Sequence, residues 1–174
     1  MTSDALVLIG PMGAGKTSIG KRVAKALGTT FTDTDSLVVR EHGAIADLFA
    51  SGGEELFRRL ERLAVADALS AGGVIALGGG AVLNRDTQRD LGDHRVVLLT
   101  VSDDVIAGRI GGSSRPLLRE GDAVEQWKKI AHARAPLYES LADITFDTSR
   151  GPLSAVADAV VEWARSSDSH TEDS

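Results

Sequence analysis

Short apolar runs alternate with longer amphipathic stretches along the chain. A short apolar run bounded by polar residues or glycine indicates a buried strand, and apolar residues that recur every three or four positions indicate a helix. Strands that alternate with such helices pair in parallel and are covered by helices on both faces. The pattern therefore predicts an α/β fold in three layers. Its five strands are predicted at Ala5–Ile9, Thr30–Thr32, Val74–Leu77, Arg95–Val101 and Asp143–Phe146.

Three of the amphipathic stretches also carry signals for where a helix begins or ends. In Lys16–Leu27 the apolar residues lie four apart, and Gly28 follows as a C-terminal glycine. Glu54–Ser70 places four leucines, Leu63 among them, on one stripe that we expect to be buried. Pro152–Arg165 begins with a proline, which is favoured in the first turn of a helix. We expect these helices to cover the two faces of the sheet.

The composition of the 174 residues fits one soluble domain. The 19 Lys and Arg oppose 25 Asp and Glu, and the net charge of −6 argues against a nucleic-acid-binding surface. The absence of cysteine excludes disulfides and thiolate zinc sites, and no apolar stretch is long enough for a membrane span. We therefore expect a monomeric cytoplasmic protein whose partners are neither nucleic acid nor membrane. Residues 1–165 are predicted to form the domain, and residues 166–174 a disordered polar tail.

A phosphate-binding motif follows the first predicted strand. Residues 10–17 read G-P-M-G-A-G-K-T, which satisfies G-x-x-x-x-G-K-[ST] and opens the first predicted helix. Such glycines let backbone N–H groups surround a phosphate, and the helix N-terminus adds partial positive charge. No Asn-Lys-x-Asp signature for guanine is present, so the motif predicts ATP binding. The predicted nucleotide-binding residues are Gly13, Ala14, Gly15, Lys16, Thr17 and Ser18, with the Thr17 hydroxyl as a ligand of Mg²⁺.

Two carboxylates follow the second predicted strand, in the segment D-T-D. Residues two apart on an extended chain point to the same side, so Asp33 and Asp35 are predicted to lie together. Behind a phosphate loop, one of them would complete the Mg²⁺ shell through water and the other would accept a proton from a substrate hydroxyl. The alternative is that they act as turn and N-cap residues of a helix at Leu37–Glu41.

Three arginines are candidate anion ligands. Arg58 precedes Glu61 by one helical turn, Arg115 follows a glycine pair in the manner of a lid, and Arg134 precedes Pro136, which we expect to break a helix. Each guanidinium could bind a carboxylate or a phosphate in a bidentate manner. Taken alone, Arg58 is better explained as part of an exposed ion pair on a solvated helix surface. For Arg115 and Arg134, an ordinary surface loop or a kinked surface helix explains the residue about as well.

Taken together, six segments resemble the bacterial shikimate kinase family in their order and spacing. These are G-P-M-G-A-G-K-T, D-T-D, F-R-R-L-E, G-G-G-A, R-P-L-L and R-A-P-L-Y, and the resemblance covers about Leu6 to Trp163. It implies a P-loop kinase with a five-stranded parallel sheet in the order 2-3-1-4-5, a substrate-binding helical region at about 33–62 and a lid at about 111–120. It also implies the reaction, in which ATP phosphorylates the 3-hydroxyl of shikimate.

The resemblance implies a role for each candidate residue as well. Shikimate would be bound by Asp35, Arg58, Gly79 and Arg134, with Asp35 also the candidate base. Mg²⁺ would be organised by Thr17 and Asp33, phosphoryl charge neutralised by Lys16 and Arg115, and adenine covered by Arg109 and Arg150. The residues with catalytic roles would thus be Lys16, Asp35 and Arg115.

Two other functions fit parts of the sequence. A related small-molecule kinase, such as a gluconate kinase, would share the phosphate loop and the lid but act on another polyol acid. A nucleotide-binding module without activity would be expected to lack Lys16, Asp35 or Arg115, and all three are present.

Overall fold

Five parallel strands form the central sheet of the computed structural model, which describes residues 4–110 and 123–169. The strands are β1 (Leu6–Ile9), β2 (Phe31–Asp33), β3 (Val74–Ala76), β4 (Arg95–Thr100) and β5 (Ile144–Asp147). They pair in the order β2-β3-β1-β4-β5, which confirms the predicted α/β fold and its strand order. Each strand lies within one residue of its predicted bounds.

Helices connect the strands and cover both faces of the sheet. In the described part of the chain they are α1 (Lys16–Leu27), α2 (Thr34–His42), α3 (Ile45–Ala71), α4 (Arg85–Leu91), α5 (Asp103–Ile110), α6 (Ala123–Leu141) and α7 (Leu153–Ser169). A short 3-10 helix, Ala81–Leu83, precedes α4. None of the described helices is both long and apolar enough to cross a membrane.

Burial of both faces explains why the central strands are continuously apolar. In β1, Leu6 and Leu8 belong to one core cluster, which includes residues of α1 and α7. Val7 and Ile9 alternate with them and belong to a second cluster, which includes residues of α3. Side chains alternate between the faces of a strand, so a strand covered on both sides needs apolar residues at every position. The predicted three-layer arrangement is therefore confirmed.

The longest helix, α3, differs from its prediction in extent and in its buried face. Gly53 has φ 70° and ψ −172° within it, so two helical segments meet at this glycine. The predicted start at Glu54 matches the beginning of the second segment only. Leu63, expected to be buried, is 58% exposed. The face that meets the core runs instead through Phe57 and Ala64, and Ala64 lies about 100° around the helix from Leu63.

The predicted helix break at Pro136 is wrong, because α6 continues through it to Leu141. Proline removes one backbone donor and crowds the preceding turn. Hydrogen bonds hold α6 on both sides of the proline. Before it, the Trp127 indole donates to the carbonyl of Met12 at 2.7 Å, and after it the Tyr138 hydroxyl donates to the carbonyl of Gly79 at 2.5 Å. Tertiary contacts at both ends thus favour one continuous helix.

The last helix, α7, extends to Ser169 and so includes part of the tail that was predicted to be disordered. The Arg95 guanidinium, at the start of β4, donates to the Ala164 carbonyl and to the Asp168 carboxylate, each at 3.1 Å. The Ser167 hydroxyl donates to the Trp163 carbonyl at 3.0 Å. These contacts favour helix in a segment whose polar composition alone suggested disorder.

Three functional segments meet at one edge of the sheet. The phosphate loop follows β1, the D-T-D segment ends β2, and glycines 78–80 follow β3. Because β1, β2 and β3 are adjacent and parallel, their carboxyl ends lie side by side. Ligands of open α/β sheets bind at this edge. The fold therefore brings the candidate residues together.

Candidate active site

The phosphate loop connects β1 to α1. Gly13 and Gly15 have φ values of 83° and 95°, which residues with side chains rarely adopt. The Lys16 ammonium donates to the carbonyl oxygens of Gly10 at 2.6 Å and Pro11 at 3.0 Å. Lys16 therefore lies across the loop, beside the N-terminus of α1 and its partial positive charge. This arrangement fits the predicted phosphate-binding role.

Side chains from α5, from α6 and from the segment after β5 hold backbone carbonyls of this loop. The Arg109 guanidinium donates to the carbonyl of Gly13 at 3.1 Å and to the Thr148 hydroxyl at 3.0 Å. Thr148 is fully buried and donates in turn to the Ala14 carbonyl at 2.7 Å. The Trp127 indole holds the Met12 carbonyl, as described above. Side chains distant in sequence thus hold the backbone of the loop. Thr148 and Trp127 were not predicted, because nothing in their local sequence marks a long-range hydrogen bond.

The two arginines predicted to cover adenine lie near the loop in different settings. Arg109 lies against the loop and hydrogen-bonds to it. Arg150 has an 82% exposed side chain whose guanidinium lies 3.7 Å from the Asp104 carboxylate. Adenine contact by these two side chains stays a prediction. Arg115, predicted to reach the phosphates from the lid, lies outside the described residues, as does the lid itself.

Asp33 and Thr17 lie in direct contact beside the loop. The Thr17 hydroxyl donates to Oδ2 of Asp33 at 2.7 Å, while Oδ1 of Asp33 accepts from the backbone N–H of Ser36 at 3.1 Å. Asp33 is therefore the N-cap of α2, and it also faces the phosphate loop. Asp35 lies in the first turn of α2 and not on an extended strand, so the predicted reason for their proximity is wrong. Both carboxylates nevertheless line the same cavity.

This cavity has a volume of about 400 Å³ and separates α3 from α6. Its lining is of mixed chemistry. The apolar lining residues include Ile45, Phe49 and Phe57. The polar ones carry charges of both signs and include Asp35, Arg58, Glu61, Arg134 and Tyr138, beside the backbone of Gly79.

Arg58 is held in the lining of the cavity by glutamates of its own helix. Its Nη1 donates to Oε1 of Glu61 at 2.8 Å, and its Nε donates to Oε1 of Glu54 at 3.4 Å. The guanidinium carbon also lies 5.3 Å from the ring centroid of Phe57. With a side chain only 22% exposed, Arg58 is not the solvated surface charge that its sequence allowed. It is a fixed cation at the edge of the cavity.

Glu61 is a buried carboxylate beside Arg58 that the sequence analysis did not single out as a site residue. Its side chain is 5% exposed, and burial raises its pKa to about 6 although the Arg58 guanidinium works against the shift. Asp35 adds to the increase and Arg134 opposes it, so three neighbouring charges act on the Glu61 carboxyl. Burial tends to lower the pKa of Arg58, yet the carboxylates of Glu61 and Glu54 raise it overall. Arg58 therefore stays charged in the cavity.

Arg134 and Tyr138 face the cavity from α6, one helical turn apart. Burial raises the pKa of the Tyr138 hydroxyl, and the nearby Arg134 opposes the shift in part. The neutral hydroxyl donates to the Gly79 carbonyl. Sequence reasoning treated Tyr138 only as part of R-A-P-L-Y, although its spacing of four from Arg134 places both on one helix face. The Tyr138 hydroxyl thus ties the cavity-facing side of α6 to the loop after β3.

Comparison with known proteins points to one family. The family model described as shikimate kinase matches residues 12–165. A shikimate kinase from Thermobifida fusca is 44% identical over 159 residues, which are 90% of this chain and 92% of the relative. A shikimate kinase from Acinetobacter baumannii, solved in complex with shikimate, superposes with a TM-score of 0.90 at 31% identity, with 95% of each chain covered. A gluconokinase from Sinorhizobium meliloti superposes with a TM-score of 0.66 at 19% identity, covering 99% of this chain and 98% of its own, a likeness of fold alone.

Proposed function

The chain belongs to the shikimate kinase family, and from this premise we propose how its own residues divide the reaction. The enzyme uses ATP to phosphorylate the 3-hydroxyl of shikimate, a step on the route to chorismate and the aromatic amino acids. Shikimate carries one anionic group and several hydroxyls. The observation that supports the assignment of roles is a cavity beside the phosphate loop that offers both arginines and a carboxylate.

Arg58 and Arg134 hold the carboxylate of shikimate. They belong to α3 and α6 and line the same cavity, so a carboxylate between them would be bound from two sides. Glu61 holds the Arg58 guanidinium at 2.8 Å and fixes its orientation before the substrate arrives. The Gly79 backbone contacts the shikimate ring, and the Tyr138 hydroxyl holds this backbone by donating to the Gly79 carbonyl. The anionic end of the substrate is thereby anchored away from the phosphate loop.

Asp35 binds the hydroxyls and accepts the proton of the reacting one. It lines both the substrate cavity and the neighbouring space beside Lys16 and Thr17, so it lies between acceptor and donor. As the hydroxyl oxygen forms its bond to the γ-phosphorus, the bond from that phosphorus to the bridging oxygen of ADP breaks. Asp35 takes the hydroxyl proton, while Lys16 and Arg115 neutralise charge on the transferring group.

The oxygens of Thr17 and Asp33 suit Mg²⁺, the ion that neutralises phosphate charge in phosphoryl transfer from ATP. A hydroxyl oxygen and a carboxylate oxygen 2.7 Å apart beside the phosphate loop are hard ligands of the kind this ion prefers. Among residues 4–110 and 123–169, no group of three or more His, Cys, Asp or Glu side chains could hold a metal by itself. We assign Thr17 as a direct ligand and Asp33 as a contact through water.

An acceptor panel tests these assignments. With ATP and MgCl₂ present, ADP release is measured with shikimate, with gluconate and without an acceptor, for the wild type and for Asp35→Asn. We expect rapid release with shikimate only, and a large loss in the variant. Equal or faster release with gluconate would favour the polyol-acid alternative, and release independent of any acceptor would contradict the proposal. We also expect one chain to suffice, as a monomer in the cytoplasm.

A further inference from the structure

Two glycines after β3 lie against the functional groups of the cavity. A Cβ atom at Gly78 would lie 2.5 Å from Oδ1 of Asp35. A Cβ atom at Gly80 would lie 2.5 Å from Nη2 and 2.6 Å from Nη1 of Arg58. Non-bonded carbon contacts are most favourable at about 3.5–4.0 Å, so neither side chain could keep its place beside a methyl group. Each glycine therefore provides the space that one functional group occupies.

The backbone at these positions does not itself require glycine. Gly80 has φ −98° and ψ −1°, which an alanine can adopt. Gly78 is likewise absent from the glycines with positive φ. By contrast, Gly13 and Gly15 of the phosphate loop need glycine for their backbone angles. At Gly78 and Gly80 the missing Cβ itself is the constraint.

We propose that Gly78 and Gly80 are positioning residues for the phosphoryl transfer: the space left by their missing Cβ atoms sets the place of the Asp35 carboxylate and of the Arg58 guanidinium in the cavity. The proposal rests on the roles assigned above to Asp35 and Arg58. It explains two of the three consecutive glycines that follow β3. Gly79 differs, because a Cβ there would lie 3.6 Å from its nearest neighbours, an ordinary contact.

The atoms that would be displaced are the ends of flexible side chains, not backbone. A carboxylate or a guanidinium at the end of a side chain can rotate aside without any movement of the backbone. Displacement by about 1 Å is nevertheless enough to slow an enzyme about 100-fold when it misplaces the reacting groups. The proposal therefore predicts variants that fold normally and work poorly, a combination that a merely structural role for the glycines would not produce.

The test uses Gly78→Ala and Gly80→Ala in the full chain, with Gly108→Ala as the matched control. Gly108 lies in α5, where an added Cβ meets nothing within 4 Å. For Gly80→Ala we expect the KM for shikimate to rise about 10-fold or more with the KM for ATP unchanged, and for Gly78→Ala mainly a fall in kcat. Melting temperatures of both should stay within about 3 °C of the wild type, and Gly108→Ala should retain full activity.

A double-mutant cycle decides whether Gly80 acts through Arg58. In an Arg58→Ala background, the guanidinium that the new methyl group displaces is gone, so Gly80→Ala should cost less than about 2-fold more in shikimate kcat/KM. Equal costs in both backgrounds would overturn the proposal, and so would loss of cooperative melting in Gly80→Ala. Absence of shikimate-dependent turnover in the wild type would instead overturn the proposed function, which keeps the two failures distinct.

Discussion

Replacement of Arg58 by lysine keeps the positive charge but removes the planar fork that the structure uses. Arg58 donates to Glu61 through Nη1 and to Glu54 through Nε, while the guanidinium faces the cavity. A lysine presents one nitrogen on a flexible stem. The lysine ammonium can approach the buried carboxylate of Glu61 or a substrate carboxylate. It cannot hold Glu61 and at the same time bind the substrate carboxylate in a bidentate manner.

The magnitude follows from the hydrogen bonds that are lost. A hydrogen bond to a charged group contributes about 1.5–3 kcal/mol. Loss of one such bond to the substrate carboxylate therefore raises the KM for shikimate about 10-fold to 100-fold. We expect kcat to fall less, because Arg58 holds a group that does not react. The KM for ATP should change less than about 2-fold, since Arg58 does not line the space beside Lys16.

The assay compares initial rates at varied shikimate and varied ATP for wild type, Arg58→Lys and Arg59→Lys. Arg59 is the neighbouring arginine on the same helix, is exposed and does not line the cavity, so its replacement controls for the change in residue type. Calorimetric titration of shikimate should reproduce the KM effect as a rise in Kd. A change in the ATP constants with normal shikimate constants, or equal effects of the two substitutions, would refute the assignment of Arg58 to the substrate carboxylate.

Substitutions of Lys16, Asp33, Asp35 and Glu61 should separate the binding of phosphate, metal and protons. Lys16→Ala should lower kcat about 100-fold to 1000-fold with an unchanged melting temperature, as expected for a preorganised charge that is removed from the transition state; unchanged kcat would contradict the phosphate-loop assignment. Asp33→Asn should raise the Mg²⁺ concentration needed for half-maximal rate, whereas Asp35→Asn should lose activity that added Mg²⁺ does not restore; the reverse pattern would exchange their roles. The folded pKa of Glu61, about 6, lies above the unfolded value of 4.5, so this residue contributes stability that is present at low pH and is lost as pH rises through about 6. Between pH 7.5 and pH 5 its contribution to the free energy of unfolding grows by about 1 kcal/mol. Denaturation measured at the two pH values should show this difference in the wild type, and Glu61→Gln should remove it. An identical pH dependence in both proteins would contradict the conclusion that burial raises the pKa of Glu61.

The fold was predictable because its signals are local. Apolar runs mark β1 to β5 within one residue, and Gly28 ends α1 where the sequence indicated. The errors arose where tertiary contacts override a local signal. Pro136 stays helical because Trp127 and Tyr138 anchor α6 on either side. The prediction for Leu63 was wrong because a stripe of leucines does not by itself reveal which helix face meets the core.

The candidate site likewise contains residues that a local sequence pattern marks and residues that only tertiary packing reveals. The phosphate-loop residues have a local pattern whose chemistry is known, and Asp35, Arg58 and Arg134 could be named once several segments were considered together. Glu61 could not, since a glutamate one turn after an arginine more often forms a solvated ion pair, and only packing decides that this one is buried. The space provided by Gly78 and Gly80 depends on residues distant in sequence, so no local pattern could disclose it.

Selection of a carboxylate by the paired arginines distinguishes the cavity beside the phosphate loop in the function proposed here. The most direct measurement is kcat/KM for shikimate against that for its methyl ester, which keeps the ring and the hydroxyls but lacks the charge. Two arginines that each contribute about 1.5–3 kcal/mol predict that the ester is poorer by about 100-fold or more. An ester that reacts within about 3-fold of shikimate, a difference below 1 kcal/mol, would contradict the account.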